Sequence, residues 1–167
     1  QSARQRADRK AVYLLNYALN RVTREGTAKA LKQRFPQLHL AGKTGTTNDY
    51  RDSWYSGFDR HHLSTIWLGT DDNQNTGLAG ASGALPLYMD YLQQSHPKSL
   101  SRPFPQGLGI AHFDLDSGTP VQPGCAGSIS VPAVTDALPA PADCLSAERE
   151  KPGKKEKSWW QKLFGGE

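Results

Sequence analysis

The ten residues from Leu38 to Thr47 constrain this chain more than any others. Leu38-His39-Leu40 alternates apolar and polar, the pattern of a half-buried strand with both leucines on one face. The strand is predicted over Leu38–Lys43, and it runs straight into Gly42-Lys43-Thr44-Gly45-Thr46-Thr47. Gly45 has no Cβ, so the backbone of a ligand can lie against the segment, and Gly42 is expected to keep the same approach open. Lys43 brings a positive charge, and Thr44 and Thr46 bring hydroxyl donors beside backbone N–H groups. Such a set can hold a carboxylate and a developing oxyanion together.

Two motifs compete for these residues. A phosphate-binding loop ending in Gly-Lys-Thr needs a glycine five residues before Gly42, and that position is Gln37. The other is the Lys-Thr-Gly strand of serine acyl-transfer enzymes. Three residues meet by chance in many proteins, so the neighbours decide. Asp52-Ser53-Trp54-Tyr55-Ser56-Gly57-Phe58 follows, then Ile66-Trp67-Leu68-Gly69-Thr70-Asp71-Asp72, then Gly80-Ala81-Ser82-Gly83-Ala84-Leu85-Pro86. In this order and at these spacings the chain resembles the later part of a class A penicillin-binding protein transpeptidase domain. With its cysteine-bearing C-terminal part it most resembles the 1B branch of that family.

The resemblance implies an α/β fold of α+β type, the C-terminal piece of the penicillin-binding transpeptidase and serine β-lactamase-like fold. That piece is an antiparallel meander flanked by an N-terminal and a C-terminal helix, incomplete without an N-terminal part. It further implies a peptidoglycan D,D-transpeptidase of a bifunctional protein, with stem peptides as substrates and β-lactams as ligands. Lys43 would then act electrostatically, Thr44 and Thr46 would hold the donor's terminal carboxylate, and Gly45 would leave room for it. The backbone N–H of Thr46 would be one oxyanion donor. No cofactor, metal or nucleic acid is implied, and the location is the periplasmic side of the inner membrane, with an anchor upstream.

The family's nucleophile is a serine activated by a lysine one helical turn later, assisted by a Ser-x-Asn segment. Ser95-His96-Pro97-Lys98 fits the first pattern on paper, but Pro97 opposes a regular helix there, and it follows the Lys-Thr-Gly strand instead of preceding it. Ser-x-Asn is absent. The chain alone is therefore expected to be inactive. A non-catalytic module that captures a peptide by β-augmentation is the alternative, and a nucleotide-binding enzyme a distant third.

Along the chain, Arg9 to Glu25 is predicted as an amphipathic helix. Ala11, Leu15, Ala18 and Val22 form its apolar stripe, Arg and Asn the opposite face, and Gly26 its stop. Thr27 to Lys32 is expected to add another turn or two before Phe35-Pro36. Trp54–Phe58 and Leu63–Leu68 are predicted strands joined by a tip at Asp59–His62. Trp54 and Trp67 are expected to pack the sheet, and His61 and His62 to be solvated at the tip, not to bind metal. Ala84–Gln94 is predicted as a helix presenting Leu85, Tyr88, Met89 and Leu92. These elements set a first region at 1–95, with a Pro-rich extension at 96–147 and a basic tail at 148–167.

Charge is unevenly spread: residues 1–36 hold nine Lys/Arg and two acids, 37–150 hold six and twelve, and 151–167 hold five and two. For the first stretch a solvated helix face explains this better than an anionic partner. Cys125 and Cys144 are the chain's two cysteines, and across a Pro-rich loop they read as one disulfide, with two free thiols as the alternative. In the tail, Trp159, Trp160, Leu163 and Phe164 would share one face of a short helix capped by Ser158. Residues 158–164 would either fold back on the domain or contact a membrane surface or a protein.

Overall fold

The computed structural model describes residues 7–101 and 103–144, so the expected tail helix at 158–164 lies outside the described residues. Contacts divide the chain into two compact units, Gln1–Leu14 with Pro103–Glu167, and Leu15–Arg102.

Helix α1 spans Arg9–Arg24. Asp8 caps it, its carboxylate accepting the N–H groups of Lys10 at 2.9 Å and Ala11 at 3.0 Å, while Arg21 and Arg24 favour the negative end of the helix dipole. The expected stripe holds at Val22 but not at Leu15, and the expected polar face is used for bonding. Leu15 is 60% exposed, whereas Val22 and Thr23 are buried. Asn20, assigned from sequence to the solvent face, donates through Nδ2 to the Leu40 carbonyl at 2.6 Å, and Thr23 Oγ1 donates to the same oxygen at 2.8 Å. A carbonyl leaving the sheet needs a donor, and this helix supplies two. Helix α2, Ala30–Arg34, follows and stops at Phe35.

The sheet of the larger unit is the predicted meander: β1 (Ala41–Thr46), β2 (Ser53–Phe58) and β3 (Leu63–Leu68), antiparallel in the order β1-β2-β3. Strand β1 starts three residues later than expected. The His39 N–H donates to Ser99 Oγ at 2.8 Å and the His39 carbonyl accepts the Leu100 N–H at 2.9 Å, so this backbone serves the chain returning from the last helix, not β2. Leu40 is nevertheless buried. Between β2 and β3 the tip is more than solvated: Asp59 is buried, and its carboxylate accepts the N–H groups of His61, His62 and Lys98 at 2.7, 2.6 and 2.8 Å.

Helix α3 spans Ala84–Gln94 as predicted, burying Ala84, Leu85, Tyr88 and Leu92 against β2 and β3. Tyr88 meets Tyr55 with ring centroids 4.6 Å apart. Ser53 ties the helix start to the sheet: its hydroxyl donates to the Ala79 carbonyl at 2.8 Å and accepts the Ala84 N–H at 2.9 Å. On the other face of the sheet Trp54 and Trp67 pair at 6.1 Å. They do lie on the sheet, but 41% and 48% exposed.

In the other unit, β4 (Gly109–Asp114) pairs with β5 (Pro120–Val121) on one side and β6 (Ser128–Ala133) on the other. Cys125 and Cys144 form a disulfide there. Val121, Cys125, Val131 and Ala133 are buried, a small core for such a sheet. No described helix is long and apolar enough to cross a membrane.

Candidate functional site

Lys43, Thr44, Gly45 and Thr46 all lie on β1, which among the described residues pairs with β2 alone and leaves one edge of the sheet open. Side chains alternate across a strand. Register therefore puts Thr44 and Thr46 on the face of Tyr55 and Ser53, and Lys43 and Gly45 on the face of Ser56 and Trp54. Backbone groups alternate too. The Thr47 N–H donates to the Asp52 carbonyl at 3.1 Å, so two and four residues back Gly45 and Lys43 also address β2. The N–H and C=O of Thr44 and Thr46 then face the open edge.

Lys43 reaches over that edge. Its Nζ donates to the Thr44 carbonyl at 3.0 Å and to Thr44 Oγ1 at 3.4 Å, and burial of the ammonium lowers its pKa. A partly desolvated cation with no carboxylate partner among the described residues gains from the arrival of an anion. The Thr46 hydroxyl accepts the Gly80 N–H at 2.9 Å, which fills a lone pair and leaves its proton to donate. Thr44 Oγ1 lies 2.6 Å from Thr27 Oγ1. Two hydroxyls, an ammonium and an edge N–H thus converge on one stretch of strand, a set that can take an acceptor-only ligand such as a carboxylate.

The two glycines separate in role. A Cβ on Gly42 would stand 2.2 Å from the Tyr55 hydroxyl and 2.7 Å from the Ser56 carbonyl. Gly42 thus makes room for a buried tyrosine, correcting the expectation that it keeps a ligand's approach open. A Cβ on Gly45 would meet only Trp54, at 3.2 Å. Burial, with the neighbouring Tyr88, pushes the Tyr55 phenol well above its ordinary range.

Sequence reasoning missed Thr27 and Gly80. Gly80 lies over the β1–β2 ladder so closely that a Cβ would be 2.6 Å from the carbonyls of Gly45 and Trp54. Its signal was a glycine inside a glycine-rich stretch, which by itself says only flexibility. Thr27 had no signal apart from the turn it occupies. The nucleotide-binding reading fails structurally as well: Lys43 and Thr44 lie inside a strand, followed by a 3₁₀ turn at Asn48–Tyr50 and not by a phosphate-cradling helix. Ser95 lies just past α3, and His96 has φ +52°, so Ser95 and Lys98 do not share a helical turn. Among the described residues no group of three His, Cys, Asp or Glu side chains could hold a metal ion.

The meander, the helix across it and the Lys-Thr-Gly edge strand define a segment of the penicillin-binding transpeptidase fold. A crystal structure of penicillin-binding protein 1A from Haemophilus influenzae superposes with TM-score 0.69 at 25% identity, over 80% of this chain and 21% of that one. Penicillin-binding protein 1B of Vibrio cholerae is 38% identical over 160 residues, covering 96% of this chain and 20% of the relative. The 1B proteins of Haemophilus influenzae and Escherichia coli are 46% and 41% identical over 100 and 106 residues. No protein-family profile matches the chain. The chain belongs to the class A penicillin-binding proteins, in their 1B branch, and it spans a fifth or less of the length of these relatives.

Proposed function

We propose that the chain supplies the substrate-binding wall of a peptidoglycan D,D-transpeptidase site, in a protein that cross-links stem peptides and is acylated by β-lactams. A donor stem peptide lies along the open edge of β1. Its terminal carboxylate takes the hydroxyl protons of Thr44 and Thr46 under the field of Lys43, and the Thr46 N–H faces the oxygen that becomes the oxyanion. The carrying observation is the Lys43 ammonium folded over an edge strand whose Thr46 hydroxyl already has an acceptor position filled by Gly80. The serine that forms the acyl-enzyme, and the second oxyanion donor with it, come from outside these residues, on the periplasmic side of the membrane. The chain by itself is inactive.

A fluorescent penicillin tests this. The isolated polypeptide is expected to take no covalent label, and stoichiometric labelling would refute its role as a wall without a nucleophile. In the longer protein, Lys43→Ala is expected to slow acylation by at least 100-fold, on the order of the loss of one transition-state donor, with the fold intact by circular dichroism. Capture of a non-reacting peptide by β-augmentation uses the same open edge. It would be favoured if peptides lacking a terminal carboxylate bound the chain as tightly as those bearing one.

A further inference from the structure

Thr27 occupies the turn between α1 and α2 and is held from both sides. The N–H groups of Gly26 and Ala28 both donate to the Val22 carbonyl, at 3.1 and 3.2 Å, and Ala28 is fully buried. The turn therefore presents the Thr27 hydroxyl from a fixed position, 2.6 Å from Thr44 Oγ1 across 17 residues of sequence. Each hydroxyl has one proton and two acceptor positions. Lys43 Nζ, 3.4 Å away, addresses one acceptor position of Thr44. If Thr27 donates its proton into the other, Thr44 has no acceptor capacity left, and its own proton must go outward to the open edge.

We propose that Thr27 is a positioning residue: its hydroxyl donates to Thr44 Oγ1 and commits the Thr44 proton to an anionic ligand, so that the strand selects a carboxylate over a carboxamide. Thr46 is set in the same sense by a different donor, the Gly80 N–H. Thr44 is then saturated as an acceptor and Thr46 has one of its two acceptor positions filled, so both hydroxyls turn a proton to the ligand. A carboxylate accepts both, whereas a carboxamide turns its own N–H groups toward donors and leaves hydrogen bonds unmade. Without the Thr27 hydroxyl, Thr44 Oγ1 regains an acceptor position and can satisfy an amide N–H.

This inference rests on the proposed transpeptidase role, and its test separates the two. In the longer acylating protein, the second-order acylation rate is measured with a penicillin and with the same penicillin whose carboxylate is a carboxamide. The readout is the ratio of the two rates, which a general loss of active protein does not move. Thr27→Val is expected to lower the ratio about 5- to 10-fold, the worth of one hydrogen bond, while Thr27→Ser retains it. Thr27→Ala, which removes the hydroxyl without bulk at Cγ, is read in the same way if the valine variant does not fold. An unchanged ratio in Thr27→Val or Thr27→Ala, with Thr44→Val and Thr46→Val both lowering it, would overturn the positioning role alone. Equal loss in Thr27→Ser and Thr27→Val would overturn it too, because packing would then explain both. A ratio indifferent to Thr44→Val and Thr46→Val would overturn the carboxylate-binding role of the strand itself.

Discussion

Two glycines three residues apart on one strand differ in what occupies the space their missing Cβ leaves. Gly42→Ala forces a methyl into the Tyr55 ring and the Ser56 carbonyl, and the ring is wedged between β1 and Tyr88 with nowhere to retreat. Overpacking of this kind costs roughly 1–3 kcal/mol, so a clearly lowered melting temperature is expected. Gly45→Ala meets only the Trp54 side chain, on an exposed face, and is expected to melt close to the parent chain while weakening binding of a D-Ala-D-Ala peptide. Equal melting of the two variants would refute the division. At Lys43 the sign is set by burial, which lowers the pKa from its ordinary 10.5. The charged form costs the fold some stability below that lowered value, and the cost is relieved as pH rises through it. In the proposed role a carboxylate ligand binds the ammonium, so its affinity is expected to be full near neutrality and to fall before pH reaches 10.5. An NMR titration of the same peptide against pH checks this, and affinity flat to pH 10.5 would contradict it.

At the scale of elements, the β2–β3 hairpin depends on one carboxylate. Burial alone would raise the Asp59 pKa, but the N–H groups of His62, Lys98 and His61 more than offset it and hold the value below the ordinary 3.8. A depressed carboxylate contributes stability that is present above its unfolded pKa and lost as pH falls through the folded one. Acid is thus expected to loosen the hairpin and the 95–100 return together. Asp59→Ala, which leaves three N–H donors without their acceptor, is expected to cost roughly 2–4 kcal/mol. Melting curves from about pH 5 to pH 2 should steepen in their pH dependence for the parent and flatten for the alanine variant. The two long helices show how far periodicity carries. Leu85, Tyr88 and Leu92 in α3 were legible because an apolar stripe meeting a sheet is the simplest way to bury it. In α1 the same rule pointed to Val22, which is buried, and to Leu15, which is exposed, and it missed Asn20 and Thr23 on the Leu40 carbonyl. A hydropathy pattern carries no information about where a backbone acceptor needs a donor.

For the molecule as a whole, the disulfide is expected to matter in one unit. The sheet of β4, β5 and β6 has few buried apolar side chains, and the linked Cys125 and Cys144 stand 19 positions apart. Reduction is expected to remove roughly 3 kcal/mol in the chain-entropy model, seen as faster amide exchange in β4 and β6. Unchanged exchange there after reduction would show that the covalent link adds little. By itself the sequence determined the elements of the meander, the α3 stripe, the cysteine pair and the residues offered by the Lys-Thr-Gly strand. Each of these is encoded by near neighbours, through period, spacing or composition. Only the tertiary structure decided that Gly42 houses Tyr55, that Asp59 is a buried acceptor, and that Thr27 and Gly80 reach the hydroxyls of Thr44 and Thr46. The contacts of Gly42 with Tyr55, Asp59 with Lys98, Thr27 with Thr44 and Gly80 with Thr46 join residues 13 to 39 positions apart. Their partners are chosen by how strands and turns stack in space, which local sequence does not state.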